Sequence, residues 1–189
     1  MRSIELKKYK KVGVSFEEIS ELIIPNYKKL EADITASVKG KYENRFLALE
    51  LKLPADACYY ALLGAKYMPS DEYKGLHLEI RYIDIGTERY SETLAYSEKT
   101  VFKGLSKQYA EIVLNTATEY FRSNETPNGK IVINTAAYCE IGSSPMMFTI
   151  ITKTLLNLLF REQYPVTDDD IKNTCEDYLQ ERSGKSTKG

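Results

Sequence analysis

Hydrophobic and polar positions along this chain recur with two different periods, and each change of period marks an element. Phe16, Ile19, Ile23, Tyr27, Leu30 and Ile34 return every three or four residues behind a capping box of Ser15 and Glu18, the spacing of one apolar face on a helix. Pro25 falls inside that run, so a kink or a break into two short helices is expected there. From Arg45 the period becomes two: Leu47, Leu49, Leu51 and Leu53 share one face, Ala48, Glu50 and Lys52 the other, and Pro54 closes the run. That pattern predicts a half-buried strand. Ala57 to Leu63 is a short apolar run that fits strand and helix equally well. Gly75 to Tyr96 holds two alternating stretches around Ile85-Gly86-Thr87-Glu88, where glycine at the first central position suits a type II′ hairpin. In that register Asp84 faces Arg89 and Arg81 faces Glu92, while His77 lies opposite Tyr96 and Ile83 opposite Tyr90 on a mixed, partly exposed face.

A helical pattern follows from about Ser97, with Tyr109, Ile112, Val113, Ala117, Tyr120 and Phe121 on one side. Lys130 to Cys139 alternates again after the Pro127-Asn128-Gly129 turn. Ser144-Pro145 reads as an N-cap followed by proline at the first helical position, opening a helix from Met146 to Phe160 that is apolar nearly all round. Thr167 and Asp168 to Asp170 cap a last amphipathic helix that turns Ile171, Cys175, Tyr178 and Leu179 inward. The expected fold class is α+β: a mostly antiparallel sheet of about four to five strands covered by helices. Between residues 45 and 160 the order of strands, helix, strand and helix, with Gly142-Ser143-Ser144 opening an apolar helix, resembles the second domain of ribosomal protein S5 and domain IV of translocases of the elongation factor G type. The resemblance rests on element order and implies no particular functional residue.

Composition narrows the classes. With 189 residues, 43% of them hydrophobic, the chain supports one core, so residues 1–182 are expected to form a single domain and 183–189 a flexible tail. The 26 basic and 27 acidic residues nearly cancel, leaving a net charge of −1, which disfavours a generally basic nucleic-acid or membrane-surface binder. Three cysteines, Cys58, Cys139 and Cys175, are odd in number and widely spaced, as expected in a reducing cytoplasm. No apolar run has the length of a membrane span or of an export signal. Fifteen tyrosines and no tryptophan are the compositional oddity, and an amphipathic side chain in excess points to interfaces.

Candidate chemistry is sparse. His77 is the single histidine, so a triad, dyad or multi-histidine metal site has little to draw on, and a ring on the exposed side of a hairpin is expected. Cys139 reads as a small buried hydrophobe rather than a thiolate nucleophile. Glu79, Glu92 and Glu140 are expected in ion pairs or on the surface, and the Asp168 to Asp170 run as a cap. Three surfaces remain. Gly142, Ser143 and Ser144 offer an anion site at a helix start, with an ordinary N-cap as the competing account. Lys7, Lys8, Tyr9, Lys10 and Lys11 place an aromatic among cations, a pattern for nucleic-acid phosphates and a stacked base. Tyr59, Tyr60, Tyr67 and Tyr73 are the candidate partner-binding patch. No cofactor, metal site or catalytic constellation is expected. The function indicated is a non-enzymatic intracellular binding protein, a small regulator or inhibitor using a Tyr-rich surface. The alternative is an RNA- or ribosome-associated protein, and self-association is a further expectation, because residues 161 to 182 are acidic against the basic start.

Overall fold

The computed structural model of the chain describes residues 1–24, 26–38, 42–54, 59–84, 88–95 and 100–181. The period-two leucines form β4 (Arg45–Leu53), which pairs antiparallel with β5 (Tyr59–Met68). β5 in turn pairs antiparallel with β8 (Gly129–Cys139). The other edge of β8 is shared: its first half runs parallel to β6 (Gly75–Tyr82) and its end antiparallel to β7 (Val101–Lys103). β6 carries β3 (Lys28–Thr35) at one margin, and on the far side β4 carries β2 (Lys11–Ser15) and then β1 (Arg2–Glu5). The sheet thus has eight strands in the order β1-β2-β4-β5-β8-β6-β3, with β7 beside β8.

Three helices, α1 (Lys107–Ser123), α2 (Pro145–Leu159) and α3 (Asp168–Glu181), supply the apolar side chains that meet the odd-numbered leucines of β4. Their starts follow ordinary capping chemistry. Ser106 and Ser144 accept from the N–H groups of Tyr109 and Met147, and Thr167 and Asp170 cap reciprocally. α2 is buried on almost every side, as its composition requires. The opposite face of the sheet has a smaller core, in which Leu22, Tyr90 and Ala95 cover Tyr60, Leu62 and Ala137. Among the described residues no helix is long and apolar enough to cross a membrane.

Several expectations change. The expected helix over 16–34 is instead a 3-10 turn at Ser20–Leu22 followed by β3. Leu30 and Ile34 are four apart, which suits a helix face, but four is also an even number, and Ala32 between them completes a strand face. Ser15 caps no helix; its hydroxyl accepts from the Glu17 N–H in a local turn, while Glu18 reaches Lys66. Ala57 and Cys58 lie outside the described residues, and from Tyr59 the ambiguous run is strand. The hairpin of β6 with the following segment does not form among the described residues, because β6 is already paired on both edges by β3 and β8. Asp84 accordingly meets Lys28, and Arg81 meets Glu79. Ile85 to Thr87 and Tyr96 to Lys99 lie outside the described residues. The four to five antiparallel strands become eight in a mixed sheet among the described residues: β3 lies in the stretch whose spacing predicts a helix, and β1, β2 and β7 are three to five residues long and too short to show a period.

Candidate functional site

Two clusters of polar side chains sit on the sheet face away from the helices. In β4 the residues that alternate with the leucines turn that way, which buries Glu50 to 1% exposure rather than leaving it in solvent. Its Oε1 accepts from the Tyr60 hydroxyl at 2.9 Å, the Thr93 hydroxyl at 2.6 Å and the Leu94 N–H at 2.8 Å. Gly13 on the neighbouring strand makes the room: a Cβ there would stand 3.2 Å from the Glu50 Cβ and Oε2. Burial pushes the Glu50 carboxyl above its ordinary value despite these donors, and burial followed by the nearby carboxylate holds the Tyr60 hydroxyl far above its own. The carboxylate therefore ties residues 93–95 down onto the sheet. A perturbed buried acid is a mark of active sites, but this one is roofed by the segment it binds.

The second cluster lies on β3 and β6, where Asp33 faces His77 and Glu31 faces Glu79. His77 Nδ1 is 2.8 Å from Asp33 and its Nε2 is 3.2 Å from Glu31, and the ring stacks on Tyr73 with centroids 5.2 Å apart. Glu79, 4% exposed, holds Arg81 at 2.7 Å and Lys130 at 2.6 Å. These cations outweigh its burial and keep the carboxyl below its ordinary value. Glu31, His77 and Glu79 each offer a ligand atom, all within 4.8 Å of one another. The hairpin register sets His77 beside Tyr96; the pairing of β6 with β3 puts it among carboxylates instead. Charged residues alternating with apolar ones from Lys29 to Ile34 are the available signal for this face, which the helical reading of the same segment hides.

Gly142, Ser143 and Ser144 form a clasp, not an open anion cradle. The Ser143 hydroxyl donates to the Tyr60 carbonyl at 2.7 Å and accepts from the Cys139 N–H at 2.9 Å, and its carbonyl accepts from the Tyr109 hydroxyl. Ser144 caps α2, while Gly142 takes the turn at φ +138, a conformation glycine adopts readily. Ser143→Ala is expected to lose about 2 kcal/mol by urea unfolding, two hydroxyl bonds being removed with their partners left behind. A loss below ~0.5 kcal/mol would show that the clasp is not structural. Cys139 is buried with its thiol toward the Ile141 carbonyl, and burial pushes the Cys175 thiol up to about 12.

The lysine cluster is the connection from β1 to β2, with a 3-10 turn at Lys7–Tyr9 and Lys8 at φ +60. Lys7 is drawn to Glu176 of α3 by its ammonium at 2.8 Å and its backbone N–H at 3.2 Å. Lys8 is exposed, Lys10 and Lys11 are half-buried, and the side chain of Tyr9 lies outside what the structure describes. The four candidate tyrosines do not form one surface. Tyr60 and Tyr67 are 0% and 1% exposed, since a strand packed on both faces buries alternate positions alike. The Tyr67 hydroxyl donates to the Asn128 carbonyl, Tyr59 packs against the helix-side core, and Tyr73 lies over His77.

An open cleft of about 700 Å³ lies where residues 21–24 and 26–28 pass the ends of β6 and β7. Ile23 and Tyr27, 36% and 39% exposed, line it, and the Lys28–Asp84 and Lys103–Glu88 pairs form its rim. The Arg81 guanidinium stacks on the Tyr27 ring at 4.0 Å and holds it in place. No family model and no curated protein matches the sequence.

Proposed function

We propose that the protein is a non-enzymatic cytoplasmic binding protein, a small regulator or inhibitor that holds a segment of a protein partner in the cleft at Ile23 and Tyr27. The observation that carries this is the pairing of two exposed apolar side chains inside a concave, charge-rimmed site, the arrangement of an interface hot spot. Tyr27 is held by Arg81, so little side-chain entropy is lost on binding. β3 starts at the cleft and is the last strand in the sheet order, and its outer edge suits an extended segment joining as a further strand. The Tyr-rich patch first expected is replaced by this cleft, because Tyr60 and Tyr67 are core residues.

A photo-crosslinking amino acid at Tyr27, tested in the native host, is expected to give one discrete protein adduct that is absent when the probe stands at exposed Glu111 of α1. Binding of that partner by Ile23→Asp should fall about 30-fold, the effect of losing a hot spot of ~2 kcal/mol. Equal labelling at both positions would overturn the proposal. The other reading, an RNA- or ribosome-associated role suggested by the S5-like and translocase-like element order, draws on Lys8, Lys10 and Lys11, with Lys7 engaged by Glu176. It gains if the captured species is RNA, is released steeply by salt, and is lost when those three lysines become alanine.

A further inference from the structure

We propose that Glu31, His77 and Glu79 bind a divalent metal ion of the zinc class on the sheet face away from the helices, a site that neighbours the partner cleft through Arg81. A neutral imidazole has one N–H. Asp33, 2.8 Å from Nδ1, suits the tautomer with its N–H on that nitrogen, which leaves the Nε2 lone pair toward Glu31 Oε1 at 3.2 Å. A cation between these two acceptors reconciles that distance; a metal ion is one such cation, and a second ring proton is the competing one that the test separates. The Nε2–Oε1 spacing fits as well: ligands bound at about 2.0–2.1 Å in a tetrahedron stand roughly 3.3 Å apart, and Glu79 offers its oxygen within 4.8 Å of both. Asp33 completes the arrangement of a carboxylate that orients a metal-binding histidine through its other nitrogen.

Glu79, directly across from Glu31 in the strand pair, is the third ligand. Arg81 and Lys130 each occupy one of its oxygens, but a carboxylate has about four acceptor positions, so lone pairs remain. The competitor at Glu31 is Lys29, 2.8 Å from the same Oε1 and half-exposed. A surface ammonium is readily displaced by a doubly charged ion, since such pairs contribute little. Three protein ligands leave a fourth position for water. The ion would also fasten β3 at the sheet margin to β6, so binding should raise the melting temperature.

The test uses the full chain freed of metal with a chelator and titrated with zinc by calorimetry and with cobalt by visible absorption. One ion per chain is expected, with the intense bands of four-coordinate cobalt and a melting temperature that rises with zinc. His77→Ala should weaken binding at least 100-fold, and Asp33→Asn about 10-fold, the usual effect of an outer partner. If His77→Ala loses its native circular dichroism, His77→Gln takes its place in the comparison. No saturable binding, binding unchanged by the His77 variant, or six-coordinate cobalt spectra would overturn the site, and the Nε2 contact would then belong to a doubly protonated ring. Unchanged affinity in Asp33→Asn would remove Asp33 from it. Metal binding is read on the purified chain with no partner present, so its failure and the failure of the partner proposal are distinguishable.

Discussion

Glu50→Ala is expected to destabilise the protein by about 3 kcal/mol, because it strands three donors in a dry site, each at a cost of ~1–3 kcal/mol less whatever water recovers. The Tyr60 and Thr93 hydroxyls and the Leu94 N–H all converge on one oxygen, so no single rearrangement serves them. Glu50→Gln keeps an acceptor there without the charge and should stay within about 1 kcal/mol of wild type at neutral pH. The pH dependence has a definite sign. Burial raises the folded-state value of Glu50 above 4.5, so the folded protein binds the proton more tightly than the unfolded chain. The part of Glu50's contribution that is linked to its proton is full below that pH and is lost as pH rises through the raised value, while the three hydrogen bonds to its oxygen remain. Urea unfolding between pH 4 and 8 should therefore show wild type losing ground to Glu50→Gln as pH increases. A difference that stays flat, or moves the other way, would mean that the three donors and not burial set this carboxyl.

Phe148→Ala should cost about 3–5 kcal/mol, the usual range for removing a phenyl ring from a tight core. Phe148 is fully buried in α2, and its ring stacks on Tyr109 of α1 with centroids 4.4 Å apart. Deleting it opens a cavity between two helices and the sheet that neither helix can close without leaving its cap. For a chain of this size the melting temperature should fall by roughly 10 °C. Phe148→Leu, which keeps most of the volume, should lose about 1 kcal/mol. A drop below 1 kcal/mol for alanine would show that the helix layer collapses easily onto the gap.

The Phe148 position was legible from its neighbours in sequence, and the Glu50 position was not. A run such as Met146 to Phe160, apolar on every side and opened by Ser144-Pro145, has one stable solution, a central helix. β4, β8, α2 and α3 were readable for the same reason: their burial pattern is local and strong. Glu50, by contrast, alternates with leucines and reads as solvent-facing until residues 90–95 are known to cross over it. His77 likewise depends on which strand lies beside β6. A hairpin would have set it against Tyr96, whereas β3, some 44 residues upstream, sets it against Asp33. The contacts of Lys7 and Ser143 are not legible in the sequence, since their partners Glu176 and Tyr60 are 169 and 83 residues away.

Capping and periodicity act over a few residues, so the α+β class, the helix starts at Ser144 and Thr167 and the two best strands are local properties of the chain. The strand at Lys28 to Thr35, the two-sided burial of the sheet, and the meeting of Glu31, His77 and Glu79 arise only when distant segments pack together. An even spacing of apolar residues is compatible with more than one local conformation. Free energy of pairing and burial against distant segments then selects among them. The Tyr-rich middle of the chain shows this most plainly: its composition suggested an interface, and its strand pairing made Tyr60 and Tyr67 core.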